Sequence, residues 1–246
     1  MTGNLVKRRF RVSSVKPDAT GHIDLNTIRR HLEVVRATVG DVIYLFDGCG
    51  TEVEAEISVF DGCAAVAAVR KQVSNDTESA LECWLIQAIP ARIVRMDTII
   101  RQVTELGVYR IAPVFAERSQ QSKAKLSATR RRANRWNRIA EAAAEQSCRT
   151  HVPKIDPPCA FGDLDWKCFP QPMFVADPGK PPVARIPEPN TVSLLIGPEG
   201  GWTEREIDAA LSAGAQPFGL GARVLRSDTA GVVAITLFQS LWGDLS

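Results

Sequence analysis

Residues 5–70 carry short runs of apolar or alternating side chains, the pattern of strands packed on one face. Val42-Ile-Tyr-Leu-Phe46 and Val53-Glu-Ala-Glu-Ile57 flank Asp47-Gly-Cys-Gly50, which predicts a hairpin around a D-G turn. Ala64 to Val73 continues the strand pattern, and one short helix is expected over Asn26 to Arg36. After a polar stretch, Ser74 to Ser79, the periodicity changes. Leu81 to Ile89 reads as a strand, and Arg95 to Leu106 as an amphipathic helix stopped by Gly107. Val108 to Val114 is strand-like again. Ala128 to Arg149 is a long helical pattern with Trp136, Ile139, Ala140 and Ala143 on one face, which points Trp136 into the core. Ten of the fifteen prolines fall between 151 and 190, so irregular chain is expected there around one strand, Met173 to Ala176. A strand at 192–196, a helix at 203–213, a strand at 217–220 and a helix at 228–242 complete the pattern. Alternating strands and helices predict an α/β domain with a mainly parallel sheet over 80–246, preceded by a small barrel-like β domain over 1–73.

Composition narrows the class without naming a function. The chain has 246 residues, 45% hydrophobic and 24% charged, as in ordinary soluble domains. No apolar run approaches the ~18–20 residues of a membrane span, and MTGNLVKRRF has no apolar signal region. The six cysteines (49, 63, 83, 148, 159, 168) form no C-x-x-C pair and no zinc spacing. They are expected to be reduced, mostly buried thiols in a cytoplasmic protein. His22, His31 and His151 do not cluster, so no metal site is expected. Net charge is only +2, yet Arg118 to Arg138 holds eight Lys or Arg and no Asp or Glu. Such a run is either a solvated face or a contact for a phosphate backbone.

The densest chemistry lies in two glycine loops. Leu194-Leu-Ile-Gly-Pro-Glu-Gly-Gly-Trp-Thr-Glu-Arg-Glu206 joins an apolar strand to a glycine turn and a helix, with Thr203 three residues before Glu206 in a capping-box pattern. Phe218-Gly-Leu-Gly-Ala-Arg-Val-Leu-Arg-Ser-Asp-Thr-Ala-Gly231 has the same character. Either loop alone would more often be a tight turn. As a pair holding Glu199, Arg226 and Asp228, they point to one pocket for a small cofactor held against backbone groups. A Walker A loop is excluded by the missing lysine, and the dinucleotide fingerprint begun at Gly219 and Gly221 fails at Val224.

The segments IGPEGGWTEREI and LGARVLRSDTAG resemble the signature motifs of the RsmE family, bacterial methyltransferases acting on N3 of a uridine in 16S rRNA, within the SPOUT (trefoil-knotted) superfamily. Similar motifs continue upstream: Arg95-Met-Asp97 followed by Thr104-Glu-Leu-Gly107, Pro113 to Ser119, and Glu141 to Arg149. Arg8 to Phe10, Val35-Arg36, Gly40-Asp41 and Phe46-Asp-Gly48 resemble the family's PUA-like RNA-binding domain. Three places depart from the family pattern: Gln102 stands where a lysine is common, Ser227-Asp-Thr-Ala230 stands for T-E-T-A, and a histidine of the family's first-domain motif is displaced by one position, at His31, which is given no function.

The resemblance implies an α/β fold with a deep C-terminal trefoil knot, a PUA-like β-barrel before it, S-adenosylmethionine as cofactor, and 16S rRNA within the small ribosomal subunit as partner. It also implies a homodimer, without membrane or metal. Three loops would meet around the cofactor: Ala176–Pro178, Ile196–Gly201 and Gly219–Ala230. The cofactor-binding candidates are Ile196, Gly197, Gly200, Gly201, Leu220, Gly221, Val224, Leu225, Thr229 and Ala230. Uracil N3 carries a proton that must leave, so a base or an oriented water is needed; Glu199 and Asp228 are candidates, and either could instead cap a helix, which is the expected role of Asp228. Arg226 is a candidate for stabilising charge on the uracil oxygens or for an ion pair with one of those carboxylates. Arg8, Arg9, Arg36, Arg118, Arg131, Arg135 and Arg149 are candidate RNA contacts, and Trp202 a candidate base-stacking residue. The final helix, apolar on several faces, fits a dimer interface or deep burial. Two alternatives stay open: a SPOUT enzyme acting on a ribose 2′-oxygen, and a non-catalytic RNA-binding or ribosome-assembly protein, to which Gln102 alone lends weight.

Overall fold

The structure is a computed structural model describing residues 8–74, 76–119, 126–183 and 187–245, with the side chains of 126–131 outside the described set. The chain divides into two compact units, Met1–Glu78 with Ala144–Val152, and Ser79–Ala143 with Pro153–Ser246. Residues 144–152, which the helical pattern assigned to the second domain, therefore belong to the first.

The first unit contains β1 (Arg9–Arg11), β2 (His22–Asp24), a 3-10 turn (Asn26–Ile28) running into α1 (Arg29–Val34), β3 (Val42–Phe46), β4 (Glu52–Phe60) and β5 (Ala65–Val73). The strand order is β1-β3-β4-β5-β2, with β1 parallel to β3 and the other pairs antiparallel. The expected hairpin is β3–β4. Its turn is held by the Asp47 carboxylate, which accepts the N–H groups of Cys49 (2.7 Å) and Thr51 (3.1 Å). Phe10, Ile43, Leu45, Ala55 and Ile57 recur on the inner face and form the core with Leu25 and Leu32. Among the described residues the ladder does not close. β1 and β2 are its free edges, so an open five-stranded sheet stands where a barrel is expected.

The second unit is a parallel sheet with helices. It comprises β6 (Glu82–Ala88), α2 (Val94–Glu105), β7 (Val108–Phe115), α3 (Leu126–Gln146), β8 (Lys154–Ile155), β9 (Cys159–Ala160), β10 (Met173–Ala176), β11 (Thr191–Ile196), α4 (Glu204–Ser212), β12 (Ala215–Phe218) and α5 (Ser227–Trp242). The order is β12-β10-β11-β6-β7-β8, with β9 also on β7 and every pair parallel. β11 thus lies between β6 and the strand that precedes it in the chain. Its TVSLLI sequence suits a central strand covered on both faces: all residues after Thr191 are buried, and the Ser193 hydroxyl donates to the Pro170 carbonyl at 2.8 Å. Gly107 ends α2 at φ +86°, a conformation that favours glycine. The last strand covers 215–218 rather than 217–220. Its pairing runs from Met173↔Ala215 to Ala176↔Phe218, which releases Gly219 and Leu220 into the following loop. Trp136 is 1% exposed and belongs to the core, as its helical spacing predicts.

The thiols differ from expectation. All six cysteines are free, but only Cys83 is buried and four are exposed. Cys49 and Cys63 sit two residues after turn aspartates whose carboxylates accept their N–H groups, and that places them on loop tips. Burial pushes the Cys83 thiol up to about 12, with Asp244 adding to the shift. No helix among the described residues is long and apolar enough to cross a membrane.

Candidate active site

The carboxyl ends of β10, β11 and β12 open on one side of the second unit, and the three loops leaving them enclose a cleft. In open parallel sheets this is where ligands bind. The cleft encloses about 200 Å³ and opens to solvent. Its wall is made of Ala176–Pro178, then Ile196 to Glu199 with Gly201 and Trp202, then Leu220 to Ala230 in part. The loops are tied to one another. Asp177 N–H donates to Phe218 O at 2.9 Å and Gly219 N–H to Pro181 O at 2.8 Å. Ser227 Oγ donates to Gly197 O at 2.6 Å and accepts from the fully buried Gln87 Nε2 at 3.0 Å. The chain passes so closely that a Cβ on Gly219 would lie 1.9 Å from the Lys180 carbonyl oxygen, a backbone atom.

Of the expected cofactor contacts, Ile196, Gly197, Gly201, Leu220, Gly221, Val224, Leu225 and Ala230 line this cleft. Gly200 and Thr229 do not. Gly200 is backed by Arg118, whose Cβ lies 3.2 Å from where a Gly200 side chain would begin, and Thr229 is exposed on the first turn of α5. Trp202, Ile207, Arg223 and Ser227 line the cleft without having been singled out as cofactor contacts. Trp202 is 9% exposed and packs on Phe161 with ring centroids 5.0 Å apart, so it is a wall residue and not a free stacking surface. Its indole Nε1 is buried and has no hydrogen-bond partner. An orphaned donor set against Gly197 is what a site built for a ligand with acceptor atoms leaves behind.

α4 begins as predicted. Thr203 Oγ1 accepts from Glu206 N–H, and the Glu206 carboxylate accepts from Thr203 N–H at 2.8 Å, completing the capping box. The other Glu206 oxygen accepts from Glu117 N–H at 2.8 Å.

The three candidate catalytic residues separate. Glu199 lines the cleft, whereas Arg226 and Asp228 are not part of its wall. Asp228 does not cap α5: the N-cap position is Arg226, no side chain caps the helix, and Asp228 lies within the first turn. Arg226 is exposed and pairs with neither carboxylate. The cation between them is Arg95, from the first turn of α2. It reaches Glu199 Oε1 at 3.5 Å and Asp228 Oδ2 at 3.8 Å. The second Glu199 oxygen accepts from Ala91 N–H at 3.2 Å. The second Asp228 oxygen, Oδ1, is buried without a partner. Arg95 was legible only as part of a motif, because its two partners lie more than a hundred residues away.

The candidate RNA contacts also divide. Arg9 is buried, with its Nε 2.6 Å from Glu52 and its other nitrogens donating to carbonyls of Ala144, Glu145 and Arg149. Arg149 is 4% exposed and its Nη2 lies 2.8 Å from Glu78. Neither is available to a phosphate; both were drawn inward by carboxylates distant in sequence. Arg118 donates to Gly200 O (3.2 Å) and Trp202 O (3.3 Å), bracing the cleft wall. Arg135 grips the buried Asp97 through two nitrogens, which raises its own pKa, while its side chain stays 66% exposed. Arg8 pairs with Asp41 at the surface, and Arg36 is exposed with φ +53°. The Arg131 side chain lies outside the described residues.

A cleft at the carboxyl edge of a parallel sheet, closed by interlocked glycine loops, defines the class. The family model of the RNA methyltransferase domain matches residues 77–239. Among curated relatives, the ribosomal RNA small subunit methyltransferase E of Synechocystis is 32% identical over 229 residues, covering 89% of this chain and 73% of the relative. The crystal structure of ribosomal RNA small subunit methyltransferase E from Neisseria gonorrhoeae bound to S-adenosyl methionine superposes with a TM-score of 0.88 at 34% identity, over 98% of this chain and 100% of the other. A Legionella pneumophila structure in complex with the cofactor SAM gives 0.84 at 26% identity, over 97% and 99%. The chain belongs to the ribosomal RNA small subunit methyltransferase E family.

Proposed function

We propose that this protein uses S-adenosylmethionine to methylate N3 of a uridine in 16S rRNA. The observation that carries this reading is the cleft between the three loops, with Glu199 on its wall and Arg95 and Asp228 behind it. The residues fit the cofactor. Ile196, Leu220 and Leu225 make an apolar slot for an adenine, Gly197 and Gly221 let backbone approach it, and Trp202 Nε1 offers an unused donor.

S-adenosylmethionine supplies an electrophilic methyl group on a sulfonium. The S–CH₃ bond breaks with its electrons staying on sulfur, and the N3–CH₃ bond forms from the nitrogen's electron pair. The N3 proton leaves to a carboxylate of the Glu199–Asp228 pair, Glu199 being the member on the cleft wall. Arg223 on the wall and Arg226 just outside it are exposed cations suited to the uracil oxygens and the flanking phosphates. Because N3 lies on the Watson–Crick edge, the target must be unpaired or flipped out, and the first unit serves to hold the surrounding RNA. Arg8 and Arg36 are its surface candidates.

The same reading includes a knotted second domain, a PUA-like first domain and a homodimer working in the cytoplasm on the small subunit. The threading of β11 beside β6 and the tight pass of Gly219 under Lys180 support the knot. The half-buried Val232, Val233 and Leu237 and the exposed Leu241 on α5 support a partner subunit on that helix. The test is nucleoside mass spectrometry of small subunits lacking this modification after incubation with the protein and labelled S-adenosylmethionine. Label in 3-methyluridine is expected. Label on a ribose 2′-oxygen, or none, would overturn the assignment.

A further inference from the structure

The first turn of a helix is an unfavourable place for a cation, because unsatisfied N–H groups concentrate positive partial charge there. Arg95 occupies that place on α2. Its position needs a compensating partner, and it has two. Glu199 comes from the glycine turn after β11 and Asp228 from the first turn of α5. The three side chains are between a quarter and a third exposed, so their attraction is less screened than at an open surface. Ala91 N–H, from the loop before α2, takes the remaining Glu199 oxygen. Asp228 Oδ1 is left buried without a donor, an arrangement that costs stability.

We propose that Arg95 is a positioning residue for proton removal, holding Glu199 and Asp228 as one carboxylate pair beside the cofactor cleft. This rests on the methyltransferase reading above. Arg95 does not touch the reacting atoms. It sets the spacing and orientation of the two carboxylates, and it supplies the charge that lets two acids stand on one cation while one of them receives the N3 proton. Arg226, which the sequence places nearest Asp228, does not perform this role, since its guanidinium pairs with neither acid.

Arg95→Gln and Arg95→Lys, each in the full-length protein, provide the test. Arg95→Gln is expected to lower kcat about 100-fold, the scale of a misplaced proton acceptor. The S-adenosylmethionine Kd by calorimetry and the KM for RNA should stay within about threefold. Arg95→Lys keeps the charge and should recover part of the loss. A double-mutant cycle adds a readout that a merely structural role does not move. In a Glu199→Gln, Asp228→Asn background, Arg95→Gln should cost almost nothing further, because its partners are already silent. The proposal is overturned if the arginine variant loses as much activity in that background as in the wild type, or if its deficit tracks lost cofactor affinity. A wild-type protein that neither binds S-adenosylmethionine nor transfers methyl would instead remove the reading on which the proposal rests.

Discussion

In the first unit, Arg9 meets a single carboxylate, Glu52, with both side chains 3% exposed, and its remaining donors go to main-chain carbonyls. In the second, Arg95 stands between two carboxylates at 3.5 and 3.8 Å, and one of their oxygens has no partner at all. In the first arrangement the guanidinium nitrogens are all used, on Glu52 and on main-chain carbonyls. The second is unfinished. Fully satisfied buried polar groups hold a fold in one arrangement, whereas an under-satisfied one calls for an explanation. The two arginines therefore differ in how fully their surroundings are satisfied.

The largest expected effect is on the Arg9–Glu52 pair. Arg9→Ala removes the cation facing the buried Glu52 carboxylate and the donors to three main-chain carbonyls, and should lower unfolding free energy by about 3–5 kcal/mol in a denaturant titration. A loss under ~1 kcal/mol would break the contrast, because the pair would then carry no architectural role. Next is the tight pass beneath the cleft. Gly219→Ala puts a methyl group against the Lys180 backbone carbonyl and must part the loops, so S-adenosylmethionine affinity should drop about tenfold or more, roughly 1.4 kcal/mol. Unchanged affinity by calorimetry would mean that the loops are not the cofactor's frame.

Ser227→Ala sharpens the picture through stability instead of affinity. It deletes the donor to Gly197 O and the acceptor for Gln87, and should cost about 1–3 kcal/mol of stability by thermal denaturation. The smallest effect is a pH response in the first unit. The Asp18 carboxyl is lowered from 3.8 to about 2, chiefly by the His22 N–H and then by the Thr20 hydroxyl and N–H. A depressed acid stabilises above its unfolded pKa. The turn before β2 should therefore be intact at pH 5 and loosen as pH falls from about 4 towards 2. Protection factors of the Thr20 and His22 amides, followed by NMR, check this, and protection that persists below pH 2 would contradict it.

What could be read in advance follows how local each feature is. The capping box at Thr203 and Glu206 spans three residues, and the stop at Gly107 needs only its own φ; both appear where predicted. The cofactor loops were legible because glycines mark where backbone must come close, and eight of the ten expected contacts line the cleft. Asp228 as a helix cap was a sound local expectation that failed. The chain enters α5 two residues too early for that, with Arg226 at the cap position. The last strand shifted by two residues because its register is set by pairing with β10, not by its own apolar pattern. Arginines offered no local clue at all: Arg9, Arg149 and Arg95 look alike in sequence, and only their distant partners distinguish them.

The chain's own letters determined its periodicities, its turns, its helix starts and the two glycine-rich bends, since each depends on forces acting within a few residues. Tertiary structure alone decided which cations were matched and buried, which carboxylates were brought to one arginine, and that the first sheet stays open among the described residues. Electrostatic pairing and strand closure act through space between segments far apart in the chain, and the energy of such contacts leaves no periodic trace in the order of residues.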